Sequence, residues 1–152
     1  MANPSSNRKI LFIDTVQTLL KQELEKENHI CDSAYNKSKT EIQQIISNYQ
    51  GIIIRSRFKI DKQFIDCGSN LKVIARAGSG LENIDVEYAQ SKKILLIAAP
   101  EGNKNAVGEH TLGLLLSRMN KLRNGHQSIR QGNWLREEHR GWELEGKTIG
   151  II

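Results

Sequence analysis

Short apolar runs alternate with polar stretches of helical periodicity through the N-terminal two thirds of the sequence. The runs are 9–13, 29–31, 52–54, 71–75 and 94–98. The β-branched run 52–54 is typical of a strand buried on both faces, as in a parallel sheet. Strands that alternate with helices through short connections predict an α/β domain, a doubly wound parallel sheet with helices on both faces.

Two places in this part of the sequence signal the start of a helix. The first apolar run ends at Asp14 and Thr15, which predict a helix cap directly after the strand. Ser38, with Glu41 three residues later, predicts a capping box. The apolar residues that follow at helical spacing predict the inner face of that helix. These are Ile42, Ile45, Ile46 and Tyr49.

The pattern changes after Asn103. Residues 106–122 form a helical pattern that is apolar around much of its circumference, which predicts a helix buried between layers or against another chain. A further helical piece is predicted within 127–134, and 147–152 predicts the start of a new buried strand. Because an unpaired core strand leaves its backbone groups unsatisfied, we expect the natural polypeptide to continue. Residues 1–8 are small and polar and predict a disordered lead-in.

Composition narrows the class of protein. Hydrophobic residues make up 38% and charged residues 26%, a globular balance. The apolar runs are too short to span a bilayer, and no secretory signal is evident. Cys31 and Cys67 are expected to be free thiols, as in a reducing compartment. We therefore expect a cytoplasmic protein. The net charge of +5 is spread, and only 5% of residues are aromatic, which argues against nucleic-acid binding. The excess charge fits a small anionic ligand or ordinary surface lysines.

Candidate chemistry lies where strands end, because ligands of such sheets bind beyond the carboxyl ends of the strands. This rule selects 55–57, 76–80 and 100–103. In 76–80, Gly78 and Gly80 flank Ser79, and consecutive N–H groups there would suit a carboxylate; a tight connection that needs positive φ is the alternative.

Arg55 and Arg57 would share one side if the strand persisted, and would then clamp a phosphate or carboxylate; two solvated arginines are the alternative. Asn103 is a candidate helix cap or ligand contact. His110 beside Glu109 suggests a general base, but adjacent helical residues diverge, so a structural role is favoured. The sequence has no zinc-ligand spacing, no Gly-x-Ser-x-Gly and no complete Gly-x-Gly-x-x-Gly.

Several motifs in order resemble the D-isomer-specific 2-hydroxyacid dehydrogenases. They are Ile53–Arg57, Leu71–Asp85, Ala99–Asn103, Gly108–Thr111 and Gly141–Ile152. Within the family, the Arg-Ser-Arg, Arg-Ala-Gly-x-Gly and Ala-Pro-Glu-Gly-Asn segments are most like phosphoglycerate dehydrogenases. Glyoxylate/hydroxypyruvate reductases and non-catalytic, corepressor-like NAD-binding relatives share the glycine region and remain alternatives.

The resemblance implies a flavodoxin-like substrate-binding domain over 9–100, and the first helix and strand of a Rossmann NAD-binding domain over 101–152. It implies an NAD-dependent oxidoreductase (NADP is not excluded) that acts on a small anionic 2-hydroxy acid, with 3-phosphoglycerate oxidation toward serine as the expected reaction. A homodimer through the helix region 104–123 is also implied.

By family pattern, Gly78, Ser79 and Gly80 would hold the substrate carboxylate. Arg55, Ser56, Arg57 and Asn103 would favour a phosphorylated substrate, and Ser79 and Thr111 would touch the nicotinamide end of the cofactor. The catalytic Arg, Glu and His of the family are expected beyond Ile152, so the chain alone is expected to be inactive.

The sequence departs from the family pattern at two positions. Glu82 stands where Asp is usual, and Lys104 stands where a small hydroxyl residue is common. The first substitution keeps the charge, whereas the second is expected to alter the start of the long helix.

Overall fold

The computed structural model describes residues 7–151. The chain divides into two compact units, Met1–Asn103 and Lys104–Ile152, and each is described by itself. The predicted lead-in falls mainly on residues 1–6, which lie outside the described residues.

Five parallel strands form the sheet of the first unit. They are β1 (Lys9–Phe12), β2 (Ile30–Ser33), β3 (Gly51–Ile54), β4 (Val73–Arg76) and β5 (Leu95–Ala98). Their order is β2-β1-β3-β4-β5, and every neighbouring pair is parallel. This is the flavodoxin-like order of a doubly wound sheet, so the predicted fold class is confirmed.

Four helices connect these strands. They are α1 (Thr18–Lys26), α2 (Lys39–Ile45), α3 (Lys62–Cys67) and α4 (Val86–Ser91). The capping box at the start of α2 is confirmed, because the Ser38 side chain accepts from the Glu41 N–H and the Glu41 carboxylate accepts from the Ser38 N–H. The predicted cap at Asp14 and Thr15 is wrong, since α1 begins at Thr18 and its N-cap, Gln17, makes no side-chain cap bond.

The sheet is covered on both faces, and the larger core lies on one of them. There, Ile52, Ile54 and Ile74 pack with residues of α2, α3 and α4. The opposite face carries a smaller cluster of Phe12, Cys31 and Ile53, against which Leu24 of α1 packs. All four residues of β3 are buried, as a central parallel strand requires.

Cys31 is buried and Cys67 is half-buried, and both are free thiols among the described residues, as the sequence predicted. No helix in the described part of the chain combines the length and the apolarity that crossing a bilayer would require.

The second unit contains α5 (Lys104–Met119) and α6 (Leu122–Arg130). Neither helix has a buried residue, so the prediction that the apolar helix is buried between layers of this chain is wrong. Burial against another chain stays a prediction. Residues 147–151 form no strand, because a strand needs a hydrogen-bonded neighbour and no strand is present in the described part of this unit; Ile152 lies outside the described residues.

Candidate functional site

A cleft of about 900 Å³ lies at the carboxyl edge of the sheet. Its lining comes from segments that follow four of the strands, and includes 15–17, 55–56, 76–79 and 102–103. The chain reverses its direction of travel across the sheet between β1 and β3, and such a switch point is where open α/β sheets bind ligands. The structure therefore brings the three predicted loops together at one cleft.

The backbone of Arg55 is fixed from both sides. Its N–H donates to Asp14 Oδ2 at 2.6 Å, and its carbonyl accepts from Arg76 Nε at 3.0 Å and from Asn83 Nδ2 at 3.2 Å. Asp14 therefore fixes the backbone of a cleft residue, Arg55, and does not cap the helix that follows it. Ser56 also lines the cleft, so two residues of the predicted Arg-Ser-Arg motif face this space.

Arg57 has a different environment. Its guanidinium donates to three carbonyl oxygens, those of Ile13 at 3.0 Å, Ala34 at 3.1 Å and Lys37 at 2.6 Å. Arg57 is not among the residues that line the cleft in the described part of the chain. The structure therefore pairs Arg55 with Arg76 at the cleft, and uses Arg57 to hold together the loops that follow β1 and β2.

The glycine-flanked turn leaves two backbone donors unused. Gly78 is tied in place, since its N–H donates to Arg76 O at 2.9 Å and its carbonyl accepts from Ala99 N at 2.8 Å. The N–H groups of Ser79 and Gly80 have no acceptor among the described residues. Two adjacent free N–H groups in a turn that reaches the cleft suit the carboxylate that the sequence predicted.

Backbone conformation does not explain the glycine at position 80. Positive-φ glycines in the described chain are Gly132 and Gly146, so the alternative of a tight connection that needs positive φ is wrong. A Cβ atom on Gly80 would overlap Oε2 of Glu82 and come within 3.1 Å of Nη1 of Arg76.

Arg76, the last residue of β4, is held by Glu82. Nη1 of Arg76 donates to Glu82 Oε2 at 2.7 Å, and Nη2 lies 2.6 Å from Oε1. The Arg76 side chain is only 11% exposed, whereas that of Glu82 is 71% exposed. The backbone N–H of Glu82 and the Arg76 guanidinium together hold the pKa of the Glu82 carboxyl below its ordinary value, so Glu82 is a carboxylate at neutral pH.

The remaining predicted residues fall in both units. Asn103 lines the cleft, directly after the turn Pro100–Gly102. Thr111 lies in α5 of the second unit, where its hydroxyl donates to Val107 O at 2.8 Å. Sequence reasoning selected 76–80 but gave Arg76 no role, and it assigned Asp14 to a helix cap, although Asp14 also follows a strand at the carboxyl edge.

Residues 10–146 match the family described as D-isomer specific 2-hydroxyacid dehydrogenase, catalytic domain. The chain is 37% identical over 115 residues to D-3-phosphoglycerate dehydrogenase of Archaeoglobus fulgidus, covering 76% of this chain and 22% of that protein. It is 32% identical over 145 residues to the enzyme of the same name from Rattus norvegicus, covering 95% and 27%. The chain thus spans about a quarter of the length of these curated relatives.

Solved structures agree with the sequence relatives. A protein from Pyrococcus horikoshii superposes with a TM-score of 0.79 at 27% identity, over 92% of this chain and 44% of that one. An NAD⁺-bound 3-phosphoglycerate dehydrogenase from Entamoeba histolytica superposes with a TM-score of 0.66 at 32% identity, over 76% and 40%. The sheet order, the cleft at its switch point and the match over 10–146 lead to one conclusion: the chain belongs to the D-isomer-specific 2-hydroxyacid dehydrogenase family.

Proposed function

We propose that this chain is the substrate-binding part of an NAD-dependent dehydrogenase that oxidises 3-phosphoglycerate to 3-phosphohydroxypyruvate. The observation that carries the proposal is the cleft itself, in which the turn with the free N–H groups of Ser79 and Gly80 lies at the same sheet edge as Arg55. The relatives in Archaeoglobus fulgidus and Rattus norvegicus carry the name of this activity.

The two ends of the substrate would be held by different donors. The carboxylate would accept from the N–H groups of Ser79 and Gly80, which have no other acceptor in the described chain. The phosphate would pair with the guanidinium of Arg55, assisted by Ser56 and Asn103. Because the backbone of Arg55 is fixed by Asp14 and Arg76, the cation is presented from a rigid strand end.

The cofactor would lie beside Ser79, whose exposed position in the cleft fits contact with a nicotinamide. When bound, NAD accepts the hydride that leaves C2 of the hydroxy acid. Thr111 is proposed as a second contact; its hydroxyl donates within α5 and its oxygen can still accept. The preference for NAD over NADP and a cytoplasmic location remain part of this proposal.

The test compares binding and turnover. Titration of the labelled chain with 3-phosphoglycerate and with D-glycerate should shift the amide resonances of Ser79 and Gly80, with the phosphorylated acid binding at least tenfold tighter. Arg55→Ala should remove that preference. Lys59→Ala is the matched control, because it deletes an exposed cation from the same loop outside the cleft. Equal binding of the two acids would favour a glyoxylate/hydroxypyruvate reductase instead.

Turnover separates an enzyme from a binding protein. We expect no NADH formation from the 152-residue chain, and NADH formation from a longer product of the same reading frame. Binding of 3-phosphoglycerate with no turnover in the longer product would favour a non-catalytic, corepressor-like relative.

We also propose that a second copy of the chain covers the helix region 104–123. Large apolar side chains on α5 are exposed in the second unit, with Val107 at 56%, Leu112 at 54% and Leu114 at 60%. A helix whose large apolar side chains are exposed around much of its circumference is typical of one that packs against another chain. Light scattering should give a dimer mass, and Leu114→Glu should give a monomer; a monomer for the unchanged chain would refute the proposal.

A further inference from the structure

Arg76 is the most constrained cation at the cleft. Its side chain is 11% exposed, and its Nε donates to the carbonyl of Arg55. It lines the cleft together with Arg55. A guanidinium held at a cleft that is also lined by Ser79, whose N–H is free among the described residues, is a second anchor for an anion, in addition to Arg55.

The orientation of that guanidinium depends on Glu82. Nε is used by Arg55 O, and one edge of the group is used by the two carboxylate oxygens of Glu82. A guanidinium has five N–H donors, so the terminal nitrogens each keep one donor for a ligand. Without Glu82, only the bond from Nε would restrict the rotation of the group.

Glu82 makes a two-point contact with Arg76. Its two carboxylate oxygens lie 2.7 and 2.6 Å from the two terminal nitrogens. An aspartate would keep the charge and lose a methylene of length. The missing Cβ at Gly80 provides the space that the longer carboxylate occupies.

We propose that Glu82 is a positioning and specificity-determining residue, which aims the free donors of Arg76 into the cleft for the phosphate of the substrate. This inference deepens the proposed function and rests on it for the identity of the anion. Glu82 touches no ligand in this scheme and acts only through Arg76.

The experiment uses inorganic phosphate as the probe and the labelled 152-residue chain. Glu82→Asp should weaken phosphate binding by about threefold to tenfold, a typical loss for a misplaced charge-assisted contact. Glu82→Gln keeps the reach but offers Arg76 one acceptor oxygen in place of two, because its NH2 group only donates, so it should also weaken phosphate binding. Glu87→Gln, which removes an exposed carboxylate at the start of α4, is the matched control and should have no effect.

A double-mutant cycle shows whether Glu82 acts through Arg76. Arg76→Ala should weaken phosphate binding at least as much as Glu82→Asp, and adding Glu82→Asp to it should cause no further loss. Independent, multiplying effects would overturn the proposal. So would unchanged binding by Glu82→Asp, or tighter binding by Glu82→Gln, because Glu82 would then act only as a repelling charge.

The outcome is distinguishable from that of the proposed function. Phosphate binding that depends on Glu82 in the expected way, with no preference for 3-phosphoglycerate over D-glycerate, would support the positioning role and refute the substrate. If phosphate failed to shift the resonances of residues 76–80 in the unchanged chain, the positioning role would be refuted.

Discussion

Replacing Arg57 with alanine should destabilise the first unit and leave anion binding unchanged. The guanidinium bridges carbonyls of Ile13, Ala34 and Lys37, which belong to the segments that follow β1 and β2. Removing it deletes three hydrogen bonds and leaves the partly buried carbonyl of Ile13 without a partner among the described residues, whereas the Ala34 carbonyl still accepts from the Lys37 N–H.

The magnitude follows from the number of bonds and their exposure. A hydrogen bond contributes about 0.5–1.5 kcal/mol net, and the lower half of that range applies because Arg57 is an exposed residue. Three bonds then give a loss of about 2 kcal/mol in the free energy of unfolding. A lysine at this position has one compact ammonium in place of the fork, so Arg57→Lys should recover about half of the loss.

The assay is urea unfolding followed by far-ultraviolet circular dichroism, with phosphate titration in parallel. Arg55→Ala is the matched control, since it removes the same charge from the same loop and its guanidinium makes no hydrogen bond in the described structure. We expect it to change stability by less than about 0.5 kcal/mol while weakening phosphate binding. The reverse pattern, a stable Arg57→Ala that binds phosphate poorly, would refute the structural role and restore the paired clamp.

Three further perturbations test the fold. Ile74→Ala should lower the free energy of unfolding by about 3 kcal/mol in the urea assay, because the Ile74 side chain is fully buried. The Leu95 side chain is 59% exposed, so Leu95→Ala should lower this free energy by less than about 1 kcal/mol. Burial and the bond to Asp32 raise the pKa of Tyr49 to about 12. Because the unfolded phenol ionises near pH 10, the free energy of unfolding should fall from about pH 10 to 12, and Tyr49→Phe should make this fall smaller. Ser38→Ala should lower the free energy of unfolding by about 1 kcal/mol, because it removes the capping box of α2. Ser47→Ala is the control, since Ser47 caps no helix.

The fold was predictable because its signals are local. The buried run 52–54 shows in its own residue types that both faces of the strand are covered. The Ser38–Glu41 capping box needs only four consecutive residues. The alternation of such segments leaves few topologies, since parallel crossovers are right-handed and short.

The contacts that shape the cleft were not predictable in this way, because they join residues far apart in sequence. Asp14 accepts from the N–H of Arg55, forty-one positions away, and this bond removes Asp14 from the helix cap that local reasoning assigned to it. The predicted strand at 147–152 failed for a related reason: a strand depends on its neighbours, and its own residues cannot supply them.

The case of Arg57 shows which local rule was misapplied. The period-two rule places Arg55 and Arg57 on one side only while the strand continues, yet β3 ends at Ile54 and residues 55–58 bend. Ile54 stands in register with Arg76 on β4, and both strand ends therefore reach the same edge. In a parallel sheet the groups that converge on a ligand come from adjacent strand ends, which is why Arg76 and not Arg57 accompanies Arg55 at the cleft.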